Sequence, residues 1–155
     1  MEPSSLLKEW LLRVLGKRLL SVWGLFYIFE EERVFPAQKL CFFFEGAQLG
    51  SVGCASDGMS LDFSLAAMVN VDLGQYGREE VSPISTEELF GVVGRKLISA
   101  YLVRSSASEA FSGVSLVFEE GASVSVVNLG DELYINKIIS PEIVMSEGLK
   151  FIAVV

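Results

Sequence analysis

The chain has 155 residues, 51% of them hydrophobic and 11 of them Phe, which is enough apolar surface to offset chain entropy and so to exclude disorder. That length suits one domain with a proper core, or two small ones fused face to face. A net charge of −8 argues against a nucleic-acid binder, whose affinity comes from Lys and Arg neutralising phosphates, and is compatible with a basic protein partner.

In chain order, Leu6, Leu7, Trp10, Leu11, Val14 and Leu15 have the spacing of an amphipathic helix, with Ser4 or Ser5 as its cap and Gly16 as its stop. The apolar run is broken by Lys8, Glu9 and Arg13, so no secretory signal is read there. Residues 19–29 are rich in aromatic and branched side chains and predict a long strand. They amount to about half the roughly 20 residues needed to span a bilayer. No membrane association is expected, and the location expected is cytoplasmic. Glu30, Glu31, Glu32 and Arg33 then read as a solvated turn.

Residues 40–44 and 48–52 predict a hairpin turning on Glu45 and Gly46, with Phe42 facing Leu49. A second hairpin is predicted over 114–118 and 123–127. There a two-residue turn would split the row Val114, Leu116, Phe118 from Val124 and Val126. A three-residue turn over Glu119, Glu120 and Gly121, with Gly121 left-handed, restores Leu116 opposite Val124 and Val114 opposite Val126. An Asp turn follows each hairpin, at Asp57 and Asp131, leading to short strands over 59–63 and 133–135. Residues 64–71 fit helix or strand, and 72–83 read as a linker because of Gly74, Gly77 and Pro83. Ser85 or Thr86 should cap a short helix from Glu87 to near Gly94. The apolar tail, residues 143–145 and 149–154, should pair inside a sheet rather than stand as an aggregating edge.

Much of this is written twice. VLGKRLLSVW from Val14 matches VVGRKLISAY from Val92, with four of ten positions identical, and LCFFFEGAQLGSV matches VSLVFEEGASVSVV. The predicted fold is therefore α+β, mainly antiparallel β: two pseudo-symmetric repeats of helix, long strand, hairpin and short strand sharing one core. The first repeat covers 1–71, the linker 72–84 and the second repeat 85–155, the whole forming one compact domain.

The chemistry is read by exclusion. There is no His and there are only two Cys, Cys41 and Cys54, so the usual nucleophilic triads lose their base and a four-ligand zinc set cannot assemble. Both Cys are expected as reduced thiols, Cys41 half-buried. Phosphate-binding glycine patterns are absent. The basic pairs Lys17-Arg18 and Arg95-Lys96 recur in both repeats and are read as helix C-terminal cations. Trp23 and Tyr101, equivalent on the long strands, are read as packing residues. No catalytic residue, metal or cofactor is expected.

The segments FEEGASVSVV and GDELYI in the second repeat resemble small bacterial β-rich families, several of them similar to immunity proteins of toxin systems. The resemblance implies a cytoplasmic, non-catalytic protein-binding module that neutralises a cognate toxin by direct binding. Against a basic toxin domain the acidic surface would supply steering. The residues assigned to that contact are the loop acids Glu30, Glu31, Glu32, Glu79, Glu80, Asp131 and Glu132. The alternatives are an acidic secretion chaperone, against which the strand-like tail counts, and an orphan structural or small-ligand-binding domain.

Overall fold

The structure is a computed structural model describing residues 3–106 and 108–154. Among the described residues the chain is mainly antiparallel β with two α-helices, the class expected from its patterning. The first helix, α1, spans Pro3–Val14. Leu7, Trp10, Leu11 and Val14 are all buried, so one stripe at helical spacing faces the core while Lys8, Glu9 and Arg13 stay in water. Gly16, at φ 79°, stops it. Because the helix already begins at Pro3, Ser4 and Ser5 lie within its first turn and are not the cap. Proline fits there because first-turn N–H groups lack partners in any case.

Twelve strands follow among the described residues. The first seven are β1 (Leu19–Phe29), β2 (Glu32–Arg33), β3 (Lys39–Phe44), β4 (Gly50–Cys54), β5 (Leu61–Ser64), β6 (Val71–Asp72) and β7 (Arg78–Pro83). They form a sheet in the order β5-β4-β3-β1-β7-β6, with β2 folded back on the end of β1. The others are β8 (Leu97–Ser105), β9 (Phe111–Phe118), β10 (Ser123–Leu129), β11 (Glu132–Asn136) and β12 (Leu149–Ala153). They form a second sheet in the order β11-β10-β9-β8-β12. The inner faces of both sheets and α1 share one core. The rings of Phe44 and Phe118, one from each sheet, stack in it at 6.3 Å and an interplanar angle of 3°.

The sheets join at the starts of β1 and β8. Arg18 and Lys96 form an isolated antiparallel bridge, flanked by Gly16 N–H to Leu97 O at 2.8 Å and Gly94 N–H to Leu19 O at 2.7 Å. The basic pairs thus face each other across this seam. Arg18 donates to Gly94 O, and Arg95 donates to Gly91 O at 2.8 Å. Neither arginine acts at the end of its own helix, as the dipole reading required: Arg18 reaches the opposite segment, and Arg95 follows turns rather than a helix.

Four local expectations are corrected by tertiary contacts. In the first hairpin Phe42 lies opposite Gly50, not Leu49, and Leu40 lies opposite Val52. Leu49 is half-buried and Val52 is the core residue. The reason is Trp10. A Cβ at position 50 would sit 2.5 Å from its indole, and the indole N–H donates to Gln48 O at 2.8 Å. The helix therefore sets the register of the hairpin beneath it. The second hairpin, with no such visitor, has the expected register: Leu116 opposite Val124, Val114 opposite Val126, and Gly121 at φ 76°.

Residues 78–83, expected within the linker, are β7, which pairs with β1 from Trp23 opposite Pro83 to Ile28 opposite Arg78. β6 covers only Arg78 and Glu79 of it, so Pro83 lies toward an outer edge, where proline is tolerated. The predicted helix from Glu87 is instead a single turn. Ser85 Oγ accepts from Glu88 N–H at 3.2 Å and lies 3.1 Å from Glu88 Oε1, so the capping pair forms. Phe90 and Gly91 then turn left-handed, at φ 59° and 79°. One turn already brings Leu89 and Val92 into the core, and the few residues left before Gly94 would not repay further helix formation.

In the tail, residues 143–145 belong to a second helix, α2 (Pro141–Glu147), capped by Ser140 and closed by Gly148 at φ 60°. Ile143 and Val144 pack with Val103, Val127, Ile139 and Leu149 on the outer face of the second sheet. The last stretch pairs as expected, β12 running antiparallel to β8. Among the described residues no helix is long and apolar enough to cross a membrane.

Candidate functional site

The acids predicted from the sequence are sorted by the strands that carry them. β1 ends in a two-residue turn, Glu30 and Glu31, because Phe29 pairs directly with Glu32. Such a turn needs left-handed backbone at both central positions, and the two residues adopt φ 52° and 64°. Neither is glycine, so the turn carries strain of order 1–2 kcal/mol per residue. A tertiary contact holds its second residue in place: Arg78 on β7 grips Glu31 with two N–H groups at 2.9 and 3.3 Å. The same guanidinium donates to Glu80 at 3.0 Å.

Asp72 sits at the end of β6, and its carboxylate accepts from Gly74 N–H at 2.8 Å, fixing the turn that returns the chain to β7. Asn70 accepts from Val81 N–H at 2.8 Å and pins the incoming segment to the strand. Gly77, at φ 100°, is required here, because a side chain would run into the Ile28 carbonyl. The result is an open groove of about 600 Å³ around the meeting of β1, β6 and β7, with Glu30, Glu31, Asp72, Glu79 and Glu80 around Arg78.

Its electrostatics follow from that geometry. The hydrogen bonds and charge of Arg78 hold the Glu31 carboxyl below the usual range, and Glu31 and Glu80 together hold Arg78 more firmly protonated than a free guanidinium. Among the described residues Glu30 and Glu79 enter no ion pair. Five carboxylates against one cation leave the groove negative and two of its acids available to an incoming cation.

Asp131 and Glu132 are elsewhere. The turn between β10 and β11 places Gly130 and Asp131 at φ 62° and 70°, held by Asn128, whose side chain accepts from Asp131 N–H at 2.9 Å and donates to Ser60 O at 2.9 Å. These acids line a smaller recess of about 310 Å³ together with Tyr27, Lys39 and Cys54. Burial, and then the charges of Asp131 and Glu132, push the Cys54 thiol up. Cys41, expected half-buried, is buried outright, and burial pushes its thiol up to about 11. Glu32 lines neither recess; its neighbour Arg33 donates to Ser82 Oγ at 2.9 Å and stacks 4.3 Å above the Phe26 ring.

The structure thus gathers Glu30, Glu31, Glu79 and Glu80, separates Asp131 and Glu132 from them, and leaves Glu32 outside both groups. Asp72 and Arg78 were missed because neither belongs to a run of acids: Asp72 stands alone and Arg78 is basic. No alternation marks the strand, since Arg78, Glu79 and Glu80 are consecutive charges and β7 is half-buried along most of its length. Chemically, the groove suits ionic capture of a cationic group. Among the described residues no three Cys, Asp or Glu side chains are placed to hold one metal ion. No protein-family model, curated protein or solved structure matches the chain.

Proposed function

We propose that this chain is a non-catalytic protein-binding module of the cytoplasm whose acidic groove takes a basic surface of a protein partner. The observation that carries the reading is the convergence of Glu30, Glu31, Asp72, Glu79 and Glu80, from three separate strand ends, on one open groove. Strain at Glu30 and Glu31 is retained there, and the Arg78 contact orders the site before any partner arrives. Exposed carboxylates of this kind act mainly on the rate and specificity of encounter. The resemblance to toxin-immunity families makes a cognate toxin, a basic nuclease domain for example, the partner of first choice.

The same reading treats the two sheets as tandem copies of one unit. Four features support it. The orders β5-β4-β3-β1-β7 and β11-β10-β9-β8-β12 match strand for strand. Register shifts fall at Leu19/Ser21 and at Leu97/Ser99. Glu45 N–H to Arg18 O at 2.9 Å has its counterpart in Glu119 N–H to Lys96 O at 3.0 Å. The seam bonds of Gly16 and Gly94 are reciprocal.

The test is co-purification from the native cell with a basic protein, and inhibition of that protein where it is a toxin, with association measured across ionic strength. Replacing Glu30→Lys and Glu79→Lys together should slow association at least about tenfold and flatten its salt dependence. Glu142→Lys, on α2, should change neither. Unaltered association after the double reversal refutes the reading.

A further inference from the structure

A second surface lies between the sheets, away from the acidic groove. Phe26, Phe35, Ala37, Ile84, Leu89 and Ile135 line an apolar recess of about 390 Å³, with Glu88 as its charged lining residue. Phe35, its outer wall, is 63% exposed and meets Phe26 edge-on at 5.7 Å. The segment 35–37 forms the wall between this recess and the one that holds Asp131 and Glu132. β11 runs past both: Ile135 lines the apolar recess and Leu133 the acidic one. Ile135 lies opposite Val126 and Leu133 opposite Asn128, so both are on one face, about 7 Å apart along the strand. β11 is also the last strand of its sheet, and among the described residues it pairs only with β10, although β4 of the other sheet approaches it.

We propose that the edge of β11 is a docking site for an extended segment of a protein partner, with an apolar side chain seated over Ile135 and a Lys or Arg at Asp131 and Glu132. Charge complementarity selects that occupant, since two carboxylates face one cation, Lys39, in the acidic recess. Glu132 lies three residues from Ile135 along β11, so the anchor and the cation of an extended partner lie about 10 Å apart. Backbone pairing along a strand edge supplies affinity, and the recesses supply specificity. The inference rests on the proposed reading of a basic protein partner but uses a different surface.

The test is titration of the intact protein, observed by amide and methyl NMR, with three probes: acetyl-Val-Phe-Val-Arg-Lys-amide, its Glu-Glu counterpart, and acetyl-Gly-Gly-Gly-Arg-Lys-amide. The first should shift residues 132–136 and the methyls of Ile84 and Leu89, saturating at about 1 mM or below, and should bind at least about tenfold more tightly than the other two. Phe35→Ala, an exposed change that leaves the core intact, should weaken it at least about fivefold, and Asp131→Asn with Glu132→Gln likewise. No shift at β11, or equal binding of the acidic peptide, overturns the proposal. Shifts confined to Glu30, Glu79 and Arg78 also overturn it while leaving the acidic-groove reading standing. Binding at β11 alongside a partner indifferent to Glu30→Lys and Glu79→Lys would do the reverse.

Discussion

Gly50→Ala tests the claim that α1 sets the register of the first hairpin. The new Cβ would meet the Trp10 indole at 2.5 and 2.6 Å and the Phe63 ring at 2.9 Å, against ordinary carbon contacts of about 3.5–4.0 Å. The indole cannot withdraw freely, because it is buried and packs against the rings of Phe42, Phe44 and Phe63 at 5.3–6.5 Å. Overpacking of this kind costs about 1–3 kcal/mol. A retreat of about 1 Å would also break the 2.8 Å bond from its N–H to Gln48 O, a further cost of about 1 kcal/mol. Replacing glycine returns about 0.4–1 kcal/mol by restricting the unfolded chain. The expected net loss is about 2–3 kcal/mol, measured by equilibrium urea unfolding with an unchanged dependence on denaturant. In a Trp10→Leu background, with Trp23 as the fluorophore, the same substitution should cost less than about 0.5 kcal/mol, a coupling of about 2 kcal/mol. Equal losses in the two backgrounds would show that the indole does not control position 50.

Two further outcomes follow from charge. Arg78 depresses the folded-state pKa of Glu31, so the contribution of that pair to stability is complete above the ordinary carboxylate value of 4.5 and is lost as pH falls through the lowered folded-state value. Unfolding midpoints recorded from neutral pH into acid should therefore fall less steeply for Glu31→Gln than for the parent chain, and parallel curves would contradict the pairing. Iodoacetamide should modify Cys54 before the buried Cys41. Asp131 and Glu132 raise the Cys54 pKa after burial does, so Asp131→Asn with Glu132→Gln should speed alkylation near pH 8, where more thiolate would form. Mass-spectrometric mapping that finds Cys41 modified first, or no acceleration, would count against the recess as described.

The features legible in the sequence were those whose cause lies within a few residues. The stripe Leu7, Trp10, Leu11, Val14 marks a helix face, the run from Leu19 to Phe29 is the strand it was predicted to be, and the pattern around Gly121 fixes a three-residue turn because any other count would move a whole row of side chains to the wrong face. The candidate site was half legible for the same reason. Runs of Glu mark turns, and Glu30 and Glu31 do occupy one, but nothing near them in the chain states that Arg78 will arrive opposite Ile28.

What the sequence determined alone is local: which residues turn, which alternate, which face is apolar, and that no imidazole chemistry is possible in a chain without His. Tertiary structure decided which strands would be neighbours and in what register. Trp10 moved the first hairpin by one residue, β1 recruited a segment that reads as a linker, and Leu89 and Val92 reached the core through one turn in place of a helix. These outcomes depend on contacts between residues tens of positions apart, where packing and hydrogen bonds worth a few kcal/mol outweigh local preferences of a few tenths to about one.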